Sequence, residues 1–460
     1  MSTPIPVRRS NALLAALSLG ASLALTAVSA PAAPLDDTYI HLVFGRNLAR
    51  GGFMQFNPGT PSTGLTSPVW VMPSAAASLA GSAAPALLMG ISAAAGALAV
   101  LAGGGAAPLL LLCGPLIFHS SSGMETALAA LLATVISAGL ASRRLGGLPL
   151  GLVLSAAVLT RPETALLCIP AALGAGGRRE FALRILPPAA VIVLWAAWNV
   201  HASGSPLPST FHAKVSGTDF SGLPGLVARL LLMAPLALPA ALMGIVGMAG
   251  RRNPAWLCVP LLAAAAFATA PNHFNQLRYH VPWLCAAMPA ASAWLRGRSL
   301  RLLPGRTGIP AFAATLLLMV PGAAFMARQR VRAAFDVRTI DIAPALLVDS
   351  LASDGDVAAS GDIGAIAWIT GLEILDLDGL VTPERLPGPS REGWGWIGAR
   401  SDWLVAFPRQ YSDLVSEAGG ALEFVEGFGS PSPAVCGEDS VAVWRVSPSP
   451  RRGARGSGLP

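Results

Sequence analysis

Residues 8–37 read RRSNALLAALSLGASLALTAVSAPAAPLDD: two arginines, an apolar run at about 12–33, and then the adjacent acids Asp36 and Asp37. A helix needs roughly 20 apolar residues to cross about 30 Å of hydrocarbon, so the run is long enough to span a membrane. The basic flank predicts entry from the cytoplasmic side and exit at the two aspartates. A secretory signal peptide is the alternative, because a basic start, an apolar core and small residues near Ala30 also fit one. The length of the run, and the further apolar runs after it, favour a retained span.

The rest of the chain supports this reading. Of 460 residues, 53% are apolar and 12% charged, against about 25% charged in soluble domains. This composition excludes an ordinary soluble enzyme. Residues 1–327 hold 19 basic and 6 acidic side chains, whereas residues 328–460 hold 12 and 18. The net charge of +7 is therefore the sum of two dissimilar halves and gives no reason to expect nucleic acid. The five cysteines form no metal-spaced or disulfide-like set.

With the first helix running inside to outside, Arg143-Arg144, Arg178-Arg179 with Arg184, Arg251-Arg252, and Arg296, Arg298, Arg301 and Arg306 should all be cytoplasmic. Eleven spans satisfy this rule: about 12–33, 85–104, 106–120, 124–141, 147–160, 164–177, 184–201, 223–249, 255–271, 281–295 and 308–327. Residues 66–82 contain two prolines and no charge, and are expected as a helix lying in the outer interface. The expected fold is thus a polytopic α-helical membrane domain over 1–327, with a first outer loop at 34–84.

After residue 328 the pattern changes. Strand-like runs at 357–360, 373–377, 403–407, 422–425 and 441–446 alternate with helical stretches at about 341–353, 362–370 and 410–419. They predict an extracytoplasmic α/β domain over 328–447 with a mostly parallel sheet. The tail 448–460, rich in Pro, Ser, Arg and Gly, is expected to be disordered.

Only six carboxylates occur before residue 328, and all but Glu180 fall on the predicted outer face. An acid near a membrane boundary is costly and needs a reason. Asp37 and His41 would share one face of a short helix over roughly 37–50, and an aspartate there also suits a helix N-cap, Asp36 more than Asp37. Glu125 is either a site residue or a first-turn acid. Arg161 and Glu163 either bind a ligand or pair with each other. Lys214 either meets substrate or anchors at lipid headgroups, and Arg278 with Tyr279 suits a ligand or an interfacial belt. Together, acids from early loops and bases from later ones would suit an anionic, lipid-linked substrate.

In order along the chain stand Asp36-Asp37-Thr-Tyr-Ile-His41, Arg46-Asn47-Leu-Ala, Phe56-Asn57-Pro58-Gly59, Gly64-Leu-Thr-Ser-Pro-Val-Trp70, Gly123-Met-Glu125-Thr126 and Leu159-Thr-Arg161-Pro-Glu163. Thr210-Phe-His-Ala-Lys214, Arg278-Tyr279, Gly361-Asp362-Ile-Gly-Ala-Ile366 and Asp376-Leu-Asp378-Gly-Leu380 follow. This series resembles the GT-C superfamily of membrane glycosyltransferases, most of all the bacterial group that adds terminal β-arabinofuranose to mycobacterial arabinan. Two departures are Thr63-Gly-Leu-Thr-Ser67, which lacks that group's acid and aromatic, and His41, where many relatives carry a small or aromatic residue.

The resemblance implies transfer of a sugar from a polyprenyl-phosphate donor to a glycan, lipid or protein acceptor at the outer face of the cytoplasmic membrane. Asp37 would be the general base and Asp36 its orienting partner, or the reverse. His41, Arg46, Glu125, Arg161, Glu163, His212, Lys214, Arg278 and Tyr279 are the expected substrate and donor contacts, with the cations facing the leaving phosphate. The resemblance fixes no cofactor, since some members of the superfamily use a divalent metal beside the acids and others none, and a metal at Asp36, Asp37 and Glu125 is left open. A multi-span transporter or lipid flippase for an anionic substrate is the main rival, and a structural protein with an outer domain is the third reading.

Overall fold

The computed structural model describes residues 5–29, 32–210, 220–270, 272, 274–300, 309–382, 393–431 and 433–447. His212, Lys214, Arg301, Arg306 and the tail 448–460 lie outside them.

The N-terminal part is a bundle of apolar helices. Helix α1 (Ile5–Ser29) leads into α2 (Asp37–Ala49), the short helix expected after the first span, and then into α3 (Pro68–Ser78) and α4 (Ala84–Ala102). Helix α3 packs on α2 and α4 through its buried Trp70 and Val71, while Met72 stays exposed. Further helices include Thr126–Ser142, Gly147–Thr160, Arg178–Ser203, Val281–Leu295 and Ala311–Val337. Helices α1 and Arg178–Ser203 turn large apolar side chains such as Leu13, Val28, Val193 and Leu194 outward. This is the surface a hydrocarbon solvent requires.

The count of eleven spans is not reproduced. Among the described residues four helices are long and apolar enough to cross a membrane, or five if a bent pair counts as one. That pair, Phe220–Met233 and Ala237–Gly250, turns by 89° where a single straight span over 223–249 was expected. Pro235 lies at the break and cannot donate the helical hydrogen bond its position needs. The run 106–120 likewise divides into Ala107–Leu111 and Gly114–Ser120.

The loops gather at two opposite ends of the helices. Arg296 and Ser292 both donate to the Gly105 carbonyl, and Asn253 donates to that of Ala141. The arginine-bearing turns thus meet at one end of the helices. Glu125, which precedes Thr126–Ser142, and Arg278, which precedes Val281–Leu295, meet at the other end. Glu180, expected as a solvated charge, is paired with Arg184 and accepts the Gly176 N–H at 2.7 Å.

Strands β1 (Ser299–Leu300) and β2 (Ile309–Pro310) form a small antiparallel ribbon. The long helix Ala311–Val337 then passes residue 327 unbroken and reaches Ala343–Leu351 through one π-helical turn. The C-terminal sheet comprises β3 (Val357–Ser360), β4 (Glu373–Asp376), β5 (Trp403–Ala406), β6 (Leu422–Gly429) and β7 (Ser440–Val446), in the order β4-β3-β5-β7-β6. All five strands fall where the sequence placed them. The expected mostly parallel sheet needs correcting: β4, β3 and β5 are parallel, but β7 runs antiparallel to both β5 and β6. Between β6 and β7 the connection is too short for a crossover helix, so a hairpin-like return is forced.

Candidate active site

The centre of the site is Glu125, 1% exposed at the start of helix Thr126–Ser142. Its Oε1 accepts Arg161 at 2.9 Å and Arg278 at 3.0 Å, and its Oε2 lies 3.2 Å from His41 Nε2. Arg161 also donates from Nε to Glu163 at 2.6 Å and stacks its guanidinium 4.7 Å from the Tyr279 ring centre. Of the two alternatives for this segment the internal ion pair is present, and Arg161 extends it to Glu125. Arg278 reaches from Glu125 to Asp37, with NH1 3.2 Å from Oδ2. Burial alone would disfavour its charge, but Glu125 and Asp37 hold the guanidinium protonated beyond the usual arginine range.

The turn that carries Glu125 is fixed from several directions. Thr38 Oγ1 donates to the Ser122 carbonyl at 2.7 Å and Trp70 Nε1 to that of Gly123 at 3.0 Å. Gly123 has φ +81°, and a Cβ there would come within 2.6 Å of Thr38 Cγ2. Arg330, fully buried, donates to the Ser121 carbonyl at 2.9 Å from the long helix. The sequence reading missed Arg330, because it stands among several arginines at 328–332 with nothing in its spacing to mark it.

Asp36 and Asp37 part company. Asp36 accepts the backbone N–H groups of Gly364 at 2.7 Å and Ala365 at 2.6 Å, capping helix Gly364–Thr370 of the C-terminal domain. At the start of its own helix Asp36 occupies the N-cap position without a side-chain cap bond, so the local capping alternative is replaced by a cap on a helix far along the chain. Burial raises the Asp36 carboxyl to about 6 despite those two hydrogen bonds.

Arg46 is likewise engaged by the C-terminal domain. Its guanidinium donates to the Ala367 and Trp368 carbonyls, both at 2.9 Å, and lies over the Trp368 ring. Asn47 holds the Phe56 carbonyl at 2.7 Å, and Asn57 pairs with Ile374 in both directions, at 2.8 and 3.0 Å. Much of the first-loop motif is thus the seam to the C-terminal domain.

Between the two parts lies a cleft of about 220 Å³. The first loop and the helical part contribute Asp36, Asp37, His41, Thr66, Thr210, Arg278 and Tyr279 to it. From the C-terminal domain come Gly361, Asp362, Asp378, Leu380 and Val381. Thr210, Asp362 and Asp378 were not expected as lining residues, although all three stand in the quoted motifs. Asp362 is hydrogen-bonded to Asp341, and burial with nearby carboxylates pushes it up to about 8. Among the described residues no three His, Cys, Asp or Glu side chains are placed to hold an ion. Glu125 is occupied by cations and Asp36 by backbone, so the open metal set Asp36, Asp37 and Glu125 does not assemble.

Comparison with solved structures identifies the architecture. The crystal structure of apo ArnT from Cupriavidus metallidurans, a GT-C glycosyltransferase, superposes with a TM-score of 0.55 over 94% of this chain and 97% of that one, at 14% identity. The chain shares the fold of that protein. A cryo-EM structure of the mycobacterial arabinofuranosyltransferase AftD gives 0.47 over 96% of this chain and 42% of that one, at 17% identity. A family model described as a domain of unknown function, DUF8728, matches residues 325–444. No curated protein matches the sequence.

Proposed function

We propose that the protein is a membrane glycosyltransferase that moves a sugar from a polyprenyl-phosphate donor to a glycan, lipid or protein acceptor of the cell envelope. The site faces the outer side of the cytoplasmic membrane in this reading, and residues 328–447 form the outer domain. The observation that carries it is the pairing of Asp37 with Arg278 at 3.2 Å on the wall of the cleft. Attack opposite the leaving group sets the base and the phosphate-facing cation on opposite faces of the sugar, so donor binding parts this pair: Arg278 turns to the phosphate and Asp37 is left free to take the acceptor proton.

The acceptor oxygen attacks the anomeric carbon, and its proton passes to the Asp37 carboxylate. As the new C–O bond forms, the anomeric carbon–phosphate oxygen bond breaks and its electron pair leaves with the polyprenyl phosphate. Attack opposite the leaving group inverts the anomeric configuration. Arg278, held charged by Glu125, meets the developing phosphate charge. Arg161 and Glu163 keep Glu125 in position, His41 and Tyr279 complete the wall, and Lys214 and His212 are the further donor contacts.

The test is transfer of labelled sugar from polyprenyl-phosphate donors, arabinofuranose first, by purified protein in lipid nanodiscs. Asp37→Asn lowers transfer by about 10²–10⁴-fold, and Arg278→Gln weakens it by raising the donor requirement. Full transfer by Asp37→Asn refutes the base assignment.

A further inference from the structure

Immediately before Arg278 the backbone is strained. Gln276 and Leu277 have φ of +53° and +65°, and among the described residues they are the one adjacent pair of non-glycine residues in the left-handed region. A residue with a Cβ resists that conformation and persists in it where its surroundings over-determine it. Leu277, 1% exposed, is anchored in the apolar core of the helical part. Gln276, 2% exposed, is tied to three separate elements.

The Gln276 Nε2 donates to the Ala434 carbonyl at 2.7 Å, its Oε1 accepts Arg229 at 3.1 Å, and its backbone carbonyl accepts His119 Nε2 at 3.1 Å. Ala434 lies in the C-terminal domain between β6 and β7, in a loop whose Ser430 hydroxyl and Ala434 N–H both donate to Asp336 of the long helix. Arg229 stands on Leu223–Met233, in the first limb of the bent pair. His119 lies near the end of Gly114–Ser120 and leads into the turn that carries Glu125. These ties converge on Arg278, the next residue after Leu277, which reaches Glu125 at 3.0 Å and Asp37 at 3.2 Å. A right-handed turn at 276–277 would send the chain in another direction and take the guanidinium from both carboxylates.

We propose that Gln276 is a positioning residue for Arg278: its bond to Ala434 lets the docked C-terminal domain hold the left-handed turn, and the turn sets the guanidinium on the cleft wall. The proposal rests on the transferase reading and adds to it a control of the phosphate-facing cation by the outer domain.

The test compares two substitutions that differ by one Cβ, in the full-length protein in nanodiscs. Gln276→Ala and Gln276→Gly both lose the bonds to Ala434 and Arg229, but glycine takes the left-handed conformation freely where alanine resists it. Donor KM should rise about fivefold or more in Gln276→Ala, with kcat changing less, and should rise less in Gln276→Gly. Gln276→Glu keeps the acceptor for Arg229 but turns a carboxylate oxygen toward the Ala434 carbonyl, and should match Gln276→Ala. In an Arg278→Gln background Gln276→Ala should raise donor KM no further, because a residue that acts through Arg278 has nothing left to act on. Hydrogen exchange over 276–284 should be faster in Gln276→Ala than in Gln276→Gly. The proposal is overturned if glycine is as damaging as alanine, if Gln276→Glu matches the wild type, or if the effects of Gln276→Ala and Arg278→Gln add. Exchange needs no turnover and so separates the two readings. If the wild type transfers no sugar, the transferase reading fails, while faster exchange in Gln276→Ala than in Gln276→Gly leaves the positioning by Gln276 standing and equal exchange sinks it too.

Discussion

The charged cluster around Glu125 and the seam to the C-terminal domain are both reached from the first loop, yet they use polar groups in opposite ways. In the cluster, side chains bind side chains: Glu125 is held by Arg161, Arg278 and His41. In the seam, side chains bind backbone: Asp36 caps Gly364 and Ala365, Arg46 takes the carbonyls of Ala367 and Trp368, and Asn57 pairs with Ile374. A backbone partner accepts almost any residue at its position, so the seam fixes geometry without dictating the other side's sequence. An ion cluster has no such freedom, because each member needs the opposite charge to stay buried. The adjacent residues Asp36 and Asp37 fall on either side of this divide.

The sharpest way to break the comparison is to neutralise the two aspartates separately. Asp37→Asn should lower transfer by about 10²–10⁴-fold, the usual worth of a positioned base, while the protein still inserts and folds. Asp36→Asn should instead appear as a loss of stability of about 1–3 kcal/mol, because it weakens the cap on two buried N–H groups. Transfer rates beside thermal unfolding midpoints separate the two. A larger rate loss for Asp36→Asn than for Asp37→Asn would mean that the seam, not the cluster, holds the chemistry.

Next in size is Glu125→Ala, which strands Arg161 and Arg278 as buried cations. Removing one partner of a buried ion pair costs about 3–5 kcal/mol, enough to remove much of the folded protein from the membrane fraction. Glu125→Gln keeps the shape and one acceptor oxygen and should be milder. Equal yields of wild type and Glu125→Ala by fluorescence size-exclusion would show that the cluster is not closed.

The seam should also respond to pH in a definite direction. The folded carboxyls of Asp36 and Asp362 stand at about 6 and about 8, both above the ordinary value for a free aspartate. A carboxyl that holds its proton more tightly when folded contributes stability below its unfolded value. That contribution is lost as pH rises through the folded one. The unfolding midpoint should therefore fall as pH is raised from 5 to 9, with the upper part of the fall flattened in Asp362→Asn. A midpoint that rises over this range would contradict the burial of these acids.

Much of this division was hidden in the sequence for a physical reason. Helix α2 and the five C-terminal strands were legible because apolar periodicity is local. The direction of β7 was not, since a short apolar strand reads the same in a parallel or an antiparallel sheet. The bend near Pro235 was hidden in a run apolar enough to pass as a straight span. The resemblance named Asp37, Glu125, Arg161 and Arg278 together, and their side chains do meet. It could not separate Asp36 and Arg46 from them, because the backbone groups that claim those two side chains lie more than 300 residues further on.

Asn57 offers the smallest and cleanest probe of the seam. Its amide gives an N–H to the Ile374 carbonyl at 2.8 Å and takes the Ile374 N–H at 3.0 Å, so one side chain extends the edge of β4 as a strand would. Each such bond is worth about 1 kcal/mol net, and Asn57→Ala should lower stability by about 1–2 kcal/mol. Asn57→Asp keeps the acceptor but turns a carboxylate oxygen toward the Ile374 carbonyl, replacing one attraction by a repulsion. It should therefore cost at least as much as Asn57→Ala despite being nearly isosteric. Hydrogen exchange should show faster opening of β4 in both variants and unchanged protection around Thr126–Ser142. Faster exchange in that helix as well would mean that seam and cluster open together, and that the contrast between them is one of chemistry and not of cooperativity.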